Sequence, residues 1–180
     1  MEILIIVTIL AYMLSTAAYF AYLFIQKNNL QRIGYFILTA GILVHTATII
    51  TAFSKTGHLP VSNLRETLSL AAWAVAGVFL AIQYKYKLKI LGIIAAPLVT
   101  LIMIVVSVLP SAPAQVSNIF KNFWLISHVV AIFIGEASFV LAGGLGLLYL
   151  IQENAIKTKK HRFFFKRLPS LDLLDITGYA

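Results

Sequence analysis

Cysteine is absent from all 180 residues. The polypeptide therefore has no disulfide, thiolate ligand or redox-active thiol of its own, and thiol chemistry has to come from elsewhere. Charge is also scarce. Only 11% of the residues are Asp, Glu, Lys or Arg, against about 25% in an ordinary soluble domain. With 61% hydrophobic residues, there is too little polar surface to cover a water-facing exterior. Acids are the scarcest charged type, six in all, and too scattered for a carboxylate pair. No glycine-rich phosphate loop links a strand to a helix, and neither a paired-histidine zinc motif nor a Gly-x-Ser-x-Gly elbow occurs. Gly143-Gly144-Leu145-Gly146 lies inside an apolar run and reads as helix packing. Internal repeats and low-complexity stretches are likewise missing.

What the chain has in abundance is long apolar runs. Residues 3–25, 33–54, 67–84, 90–109 and 123–151 each approach or exceed the span of a bilayer core, which takes roughly 20 helical residues. The first run follows Glu2 and is too long for the core of a cleaved signal peptide, so it reads as a retained helix. Pro97 falls within the fourth run, where neighbouring helices can satisfy the carbonyl it frees. The expected fold is all-α, a polytopic bundle of five transmembrane helices over residues 1–153. Residues 154–180 then form a basic amphipathic cytoplasmic segment, with Phe163, Phe164, Phe165, Leu168, Leu171, Leu173 and Leu174 among its cations.

The formal charge of +8 is distributed by topology. Eleven of the fourteen basic residues fall on alternate connections: Lys27 and Arg32; Lys85, Lys87 and Lys89; and the tail's Lys157, Lys159, Lys160, Arg162, Lys166 and Arg167. The other connections hold only Lys55, Arg65 and Lys121. Positive charge stays on the cytoplasmic side, so the N-terminus is expected outside and the tail inside. This fringe faces anionic headgroups and implies no nucleic-acid partner. His161, among tail cations, reads as a solvated residue.

Four places carry polar chemistry. Residues 57–67, Gly-His-Leu-Pro-Val-Ser-Asn-Leu-Arg-Glu-Thr, hold turn residues and two candidate caps, Ser62 and Asn63. They form either an ordinary helix entry or an ordered outer loop that helps to bind a ligand. On the fifth run, Trp124, His128, Ala131, Gly135, Ser138, Ala142 and Gly146 fall within about 40° of one line. Such a stripe admits a second helix or a flat ligand close to the backbone. His128, at its outer end, is either a haem-iron ligand or a histidine bonded at a helix interface. His45 and Glu136 lie deeper and are functional candidates by position. His45 either ligates a cofactor, relays a proton or packs as a neutral histidine.

Val44-His45-Thr46, the loop from Gly57-His58 to Arg65-Glu66, the run Phe123-Trp124-Leu125-Ile126-Ser127-His128-Val129 and the tail Arg167-Leu168-Pro169-Ser170-Leu171-Asp172-Leu173-Leu174-Asp175 occur in that order. Together they resemble the cytochrome c assembly family of CcsA, CcsB and ResC type. The resemblance implies a component of cytochrome c maturation in a bacterial cytoplasmic membrane. Such a component binds haem b and presents it at the outer face for attachment to apocytochrome c. It implies His128 as an outer ligand to the haem iron, with Trp124, His45, His58 and Arg65 as further haem-site candidates, His58 belonging to the Gly-His-x-Pro loop rather than serving as an axial ligand. It also implies a second biogenesis membrane subunit and a thiol-reducing protein as partners, and at most a part of a haem-lyase complex. With Trp73 and Trp124 its only tryptophans, the chain lacks the family's tryptophan-rich WWD segment, and a further helix is expected after the tail. HemX-like members, which lack that segment and influence haem synthesis, offer an alternative: a regulatory or scaffold protein. A quinone-binding or transport module using His45 and Glu136 is a third reading.

Overall fold

The computed structural model describes residues 2–110 and 122–157. Within these, five long helices account for nearly all of the chain: α1 (Glu2–Ile25), α2 (Asn28–Thr56), α3 (Leu64–Tyr86), α4 (Gly92–Val108) and α5 (Phe123–Lys157). A single 3-10 turn, Lys89–Leu91, leads into α4. All five helical segments are long and apolar enough to cross a membrane, and the protein is an all-α, multi-pass membrane bundle. Residues 111–121 and those from 158 onward, with the expected amphipathic stretch and His161, lie outside the described residues.

Four of the helices are longer than their apolar runs; α4 is shorter than the run 90–109, whose start is taken up by the 3-10 turn. α2 starts five residues before the run at 33, immediately after a two-residue turn in which Gln26 takes a left-handed φ of 56°. The polar residues there are helical because Gln31 is buried and inward-facing. α5 continues to Lys157, whose ammonium meets Glu153 at 2.7 Å one turn back. That carboxylate raises the lysine above its ordinary range.

α1 to α4 close into a four-helix ring: α1 packs on α2 and α4, and α3 on α4 and, more thinly, α2. α5 stands outside the ring against α3. On α1 the inward face is more polar than the lipid-facing one. Thr8, Tyr12, Ser15 and Tyr19 of α1 are fully buried, whereas Ile3, Phe36, Leu43 and Val108 project outward. With no water in a bilayer, buried polar groups must be satisfied within the protein, and those on the four helices of the ring are. Tyr19 Oη donates to Gln83 Oε1 at 3.0 Å, Ser15 Oγ to the Gly34 carbonyl at 2.8 Å, and Thr16 pairs with Thr100 at 2.9 Å. Gly41 lets α1 and α2 approach, since a β-carbon there would lie 2.8 Å from the Tyr12 ring.

The two ends of the bundle differ in charge. One collects Glu2, the α2–α3 loop and the start of α5; the other collects Lys27, Arg32, Lys85, Lys87, Lys89 and Lys157.

Candidate functional site

The α2–α3 loop is built from its caps outward. α2 ends on Gly57, at φ 71°, whose N–H donates to the Phe53 carbonyl. α3 starts at the N-cap Asn63, whose Oδ1 accepts from Glu66 N–H at 2.9 Å. Glu66 reaches back, Oε2 accepting from Ser62 N–H at 2.9 Å. This reciprocal arrangement satisfies two backbone donors and orders the loop. Asn63→Ala is expected to cost about 1 kcal/mol, seen as a fall of roughly 2–4 °C in thermal unfolding.

His58 lies inside this loop, only 1% exposed. Its Nδ1 is 2.9 Å from the Leu59 carbonyl. A carbonyl only accepts, so Nδ1 carries the proton and a neutral ring leaves a bare lone pair on Nε2. That atom is buried without a hydrogen-bond partner, as is Ser62 Oγ.

Beside the loop, a cavity of about 160 Å³ opens between α1, α2, α3 and α4. Arg65, Glu66, Ser69, Thr48 and Glu2 contribute its polar lining, and Ile5 and Val106 part of its apolar wall. Arg65, 14% exposed at its side chain, reaches Glu2 Oε1 at 3.4 Å. The cavity is smaller than the ~300 Å³ at which pockets enclose drug-sized ligands, and a haem is larger than that class.

Ser69 joins this cavity to the bundle interior. Its Oγ is 2.9 Å from His45 Nε2, and Tyr12 Oη is 3.2 Å from His45 Nδ1. Both ring nitrogens of His45 are therefore engaged, and the residue is 1% exposed. The Tyr12 ring meets the imidazole edge-on at 5.9 Å. Neither Tyr12 nor Ser69 stands out by residue type. The spacing 8, 12, 15, 19 in α1, a polar stripe repeating every three to four residues, is the signal that marks Tyr12 as inward-facing.

His128 and Trp124 sit apart, on the first turns of α5. Asn122 opens this helix, its Oδ1 accepting from Trp124 N–H at 3.0 Å. α5 packs through Ala137, Leu141 and Leu145, about 100° around the helix from the small-residue stripe. The stripe consequently faces away from the ring. Trp124 is 80% exposed, His128 is exposed, and a β-carbon at Gly135, Gly143 or Gly146 would meet nothing within 4 Å. Glu136 is exposed on a neighbouring face. Of the five haem-site candidates, His45 connects through Ser69 to the cavity that Arg65 lines, and His58 lies in the adjoining loop. No hydrogen bond or ring contact among the described residues links these to His128 or Trp124.

Among the described residues no group of three or more His, Asp or Glu is placed to hold a metal ion. An iron carried by a porphyrin needs only axial ligands from the protein, and an exposed imidazole on an open, small-residue face suits that approach.

Comparison with known proteins follows the same lines. The family described as Cytochrome C assembly protein matches residues 61–178, well over half of the chain. Protein HemX of Brevibacillus brevis is 28% identical over 174 residues, 96% of this chain and 63% of that protein. The cytochrome c biogenesis protein CcsA of Guillardia theta is 28% identical over 166 residues, 86% of this chain and 53% of that protein. CcsA of Porphyra purpurea is 31% identical over 117 residues, 61% of this chain and 37% of that protein. The chain thus spans about half to three-fifths of the first two relatives' length. No solved structure matches it.

Proposed function

Since the chain belongs to the cytochrome c assembly protein family, we propose that it is a membrane component of cytochrome c maturation that takes haem b as cargo and presents it at the extracytoplasmic face. The observation that carries this reading is the placement of His128: exposed, on a helix face the bundle leaves open, within two turns of the helix start. There His128 would hold the haem iron through its imidazole, and Trp124, one turn earlier, would pack against the porphyrin. Arg65 would meet a propionate only by exchanging its contact with Glu2. His58 is enclosed, and we assign it no axial role. The basic end of the bundle faces the cytoplasm in this reading, and the His128 end faces outward. The membrane is the bacterial cytoplasmic membrane.

Haem joins cytochrome c through the apocytochrome's own thiols. A chain without cysteine cannot keep those reduced, so a thiol-reducing protein and a second membrane subunit complete the reaction. The match to Protein HemX over nearly the whole chain supports a second reading, a regulatory or scaffold protein of haem metabolism with no attachment activity.

Haem titration of the purified protein in detergent separates the two. The wild type is expected to develop a Soret band of an imidazole-ligated haem, and His128→Ala to lose it while keeping its helical content, because an exposed side chain contributes little to stability. Haem bound identically by wild type and His128→Ala would sink the first reading. No haem bound by either, in the chain alone or reconstituted with its partners, would favour the second.

A further inference from the structure

At the end of the bundle opposite the loop of His58, α2 and α3 leave an open groove of about 340 Å³. Arg32, Lys87 and Lys89 line it together with Tyr35, Phe36 and Tyr84. No acidic residue is in its lining. Lys89 donates to Asn28 Oδ1 at 3.0 Å. Arg32 and Lys87 enter no ion pair among the described residues. Cations gathered without a counter-ion at a membrane boundary call for an anion.

Lys87 adds a second observation. It caps α3 at φ 56°, ψ 28°, its N–H donating to the Gln83 carbonyl at 2.9 Å. That left-handed conformation is strained for any residue with a β-carbon and is usually given to glycine. A lysine kept where glycine would be relaxed places a cation at the mouth of the groove. Phe36 and Tyr84 are largely exposed on the lipid-facing surface. Tyrosines of this kind sit at headgroup depth, ring toward the chains and hydroxyl toward water.

We propose that this groove binds the headgroup of an acidic phospholipid. The phosphate lies between Arg32 and Lys87, and the glycerol and first acyl carbons lie against Tyr35, Phe36 and Tyr84. The shared requirement is an anionic group on an apolar body, which haem also meets through its carboxylates. A lipid fits better because no histidine lines the groove and its exposed aromatic side opens toward the bilayer. A headgroup held there bridges α2 and α3, whose direct packing is thinner than that of the ring's other neighbours.

The test uses the full chain in phosphatidylcholine nanodiscs containing a minor fraction of phosphatidylglycerol, with retained lipid read by native mass spectrometry. The wild type is expected to keep phosphatidylglycerol selectively. Arg32→Gln with Lys87→Gln should weaken retention roughly 25-fold, about five-fold per cation. Lys27→Gln with Lys85→Gln removes the same charge from the same end, outside the groove, and should leave retention unchanged. Lys87→Gly should weaken retention about five-fold yet raise the melting temperature in detergent, since glycine relieves the left-handed strain. Equal losses in the two double variants would reduce the site to diffuse surface charge and overturn it. So would displacement of the lipid by haemin with an absorption change that the Arg32/Lys87 pair abolishes. Neither outcome depends on His128.

Discussion

Gly92→Ala is expected to cost about 3 kcal/mol or more and to leave little folded protein. Such a change is ordinarily mild, and within a helix alanine is the better residue by about 1 kcal/mol. Here a β-carbon would fall 2.2 Å from Tyr19 Cε1 and 2.5 Å from Cδ1 and Cζ. Three atoms of one ring are struck at once, so a small torsion does not clear them. Tyr19 has nowhere to go: it is fully buried, its hydroxyl donates to Gln83, and its ring stands edge-on to Phe79 at 5.9 Å. Gly34 closes the other side, where even a β-carbon would be 3.1 Å from the ring. Overpacking of a tight core costs about 1–3 kcal/mol. Pushing Tyr19 aside also strands the buried Gln83 oxygen, for roughly 1–3 kcal/mol more. Size-exclusion profiles and thermal unfolding in detergent read the result. Gly143→Ala, where nothing lies within 4 Å, is the matched control and should behave as wild type. A Gly92→Ala protein with an unchanged melting temperature would show that α1 and α4 do not pack as described.

The same contact shows which parts of this molecule its sequence discloses. The five spans were legible because a bilayer demands long apolar stretches whatever their neighbours do. Their ends were less so. Asn28, Gln31 and Arg32 look like loop residues, yet α2 begins with them because Gln31 turns inward. Asn63 was legible as a cap from its type and its place before an apolar run, and it caps α3. Inward faces are harder, since lipid-facing and protein-facing surfaces are both apolar and the usual contrast between them is lost. What survives is the reverse contrast, polar and small residues inside and bulky aliphatics outside. Gly34, Gly41, His45 and Thr48 of α2 follow it.

The α5 stripe illustrates the remaining gap. Its residues and their alignment were readable, but not that the helix would pack through Ala137, Leu141 and Leu145 and leave the stripe open. That choice depends on the partner surface of α3, which no local pattern encodes. The cavity beside Arg65 and the basic groove at the other end are assembled from residues far apart in the chain. Neither follows from spacing within any one helix.

His45, for which the sequence leaves a cofactor ligand, a proton relay and a neutral packing histidine open, carries the second large expectation. A histidine deep in a membrane helix invites assignment as a ligand or proton carrier. In the folded bundle both of its nitrogens are already occupied, by Tyr12 and Ser69. His45→Leu is therefore expected to act on stability. It strands the buried Tyr12 hydroxyl at roughly 1–3 kcal/mol and the part-buried Ser69 hydroxyl at less, with part of the cost returned by the apolar side chain. A net loss of about 2 kcal/mol follows. His45→Gln, which keeps a donor and an acceptor, should recover part of it. The discriminating measurement is haem bound per folded molecule, taken from the Soret band after aggregates are removed. That ratio should match wild type in both variants, whereas it should collapse in His128→Ala. Were His45→Leu to unfold at the wild-type temperature and yet lose the haem spectrum, the Tyr12–His45–Ser69 contacts would be incidental. The imidazole would then have to be counted among the groups that hold the iron.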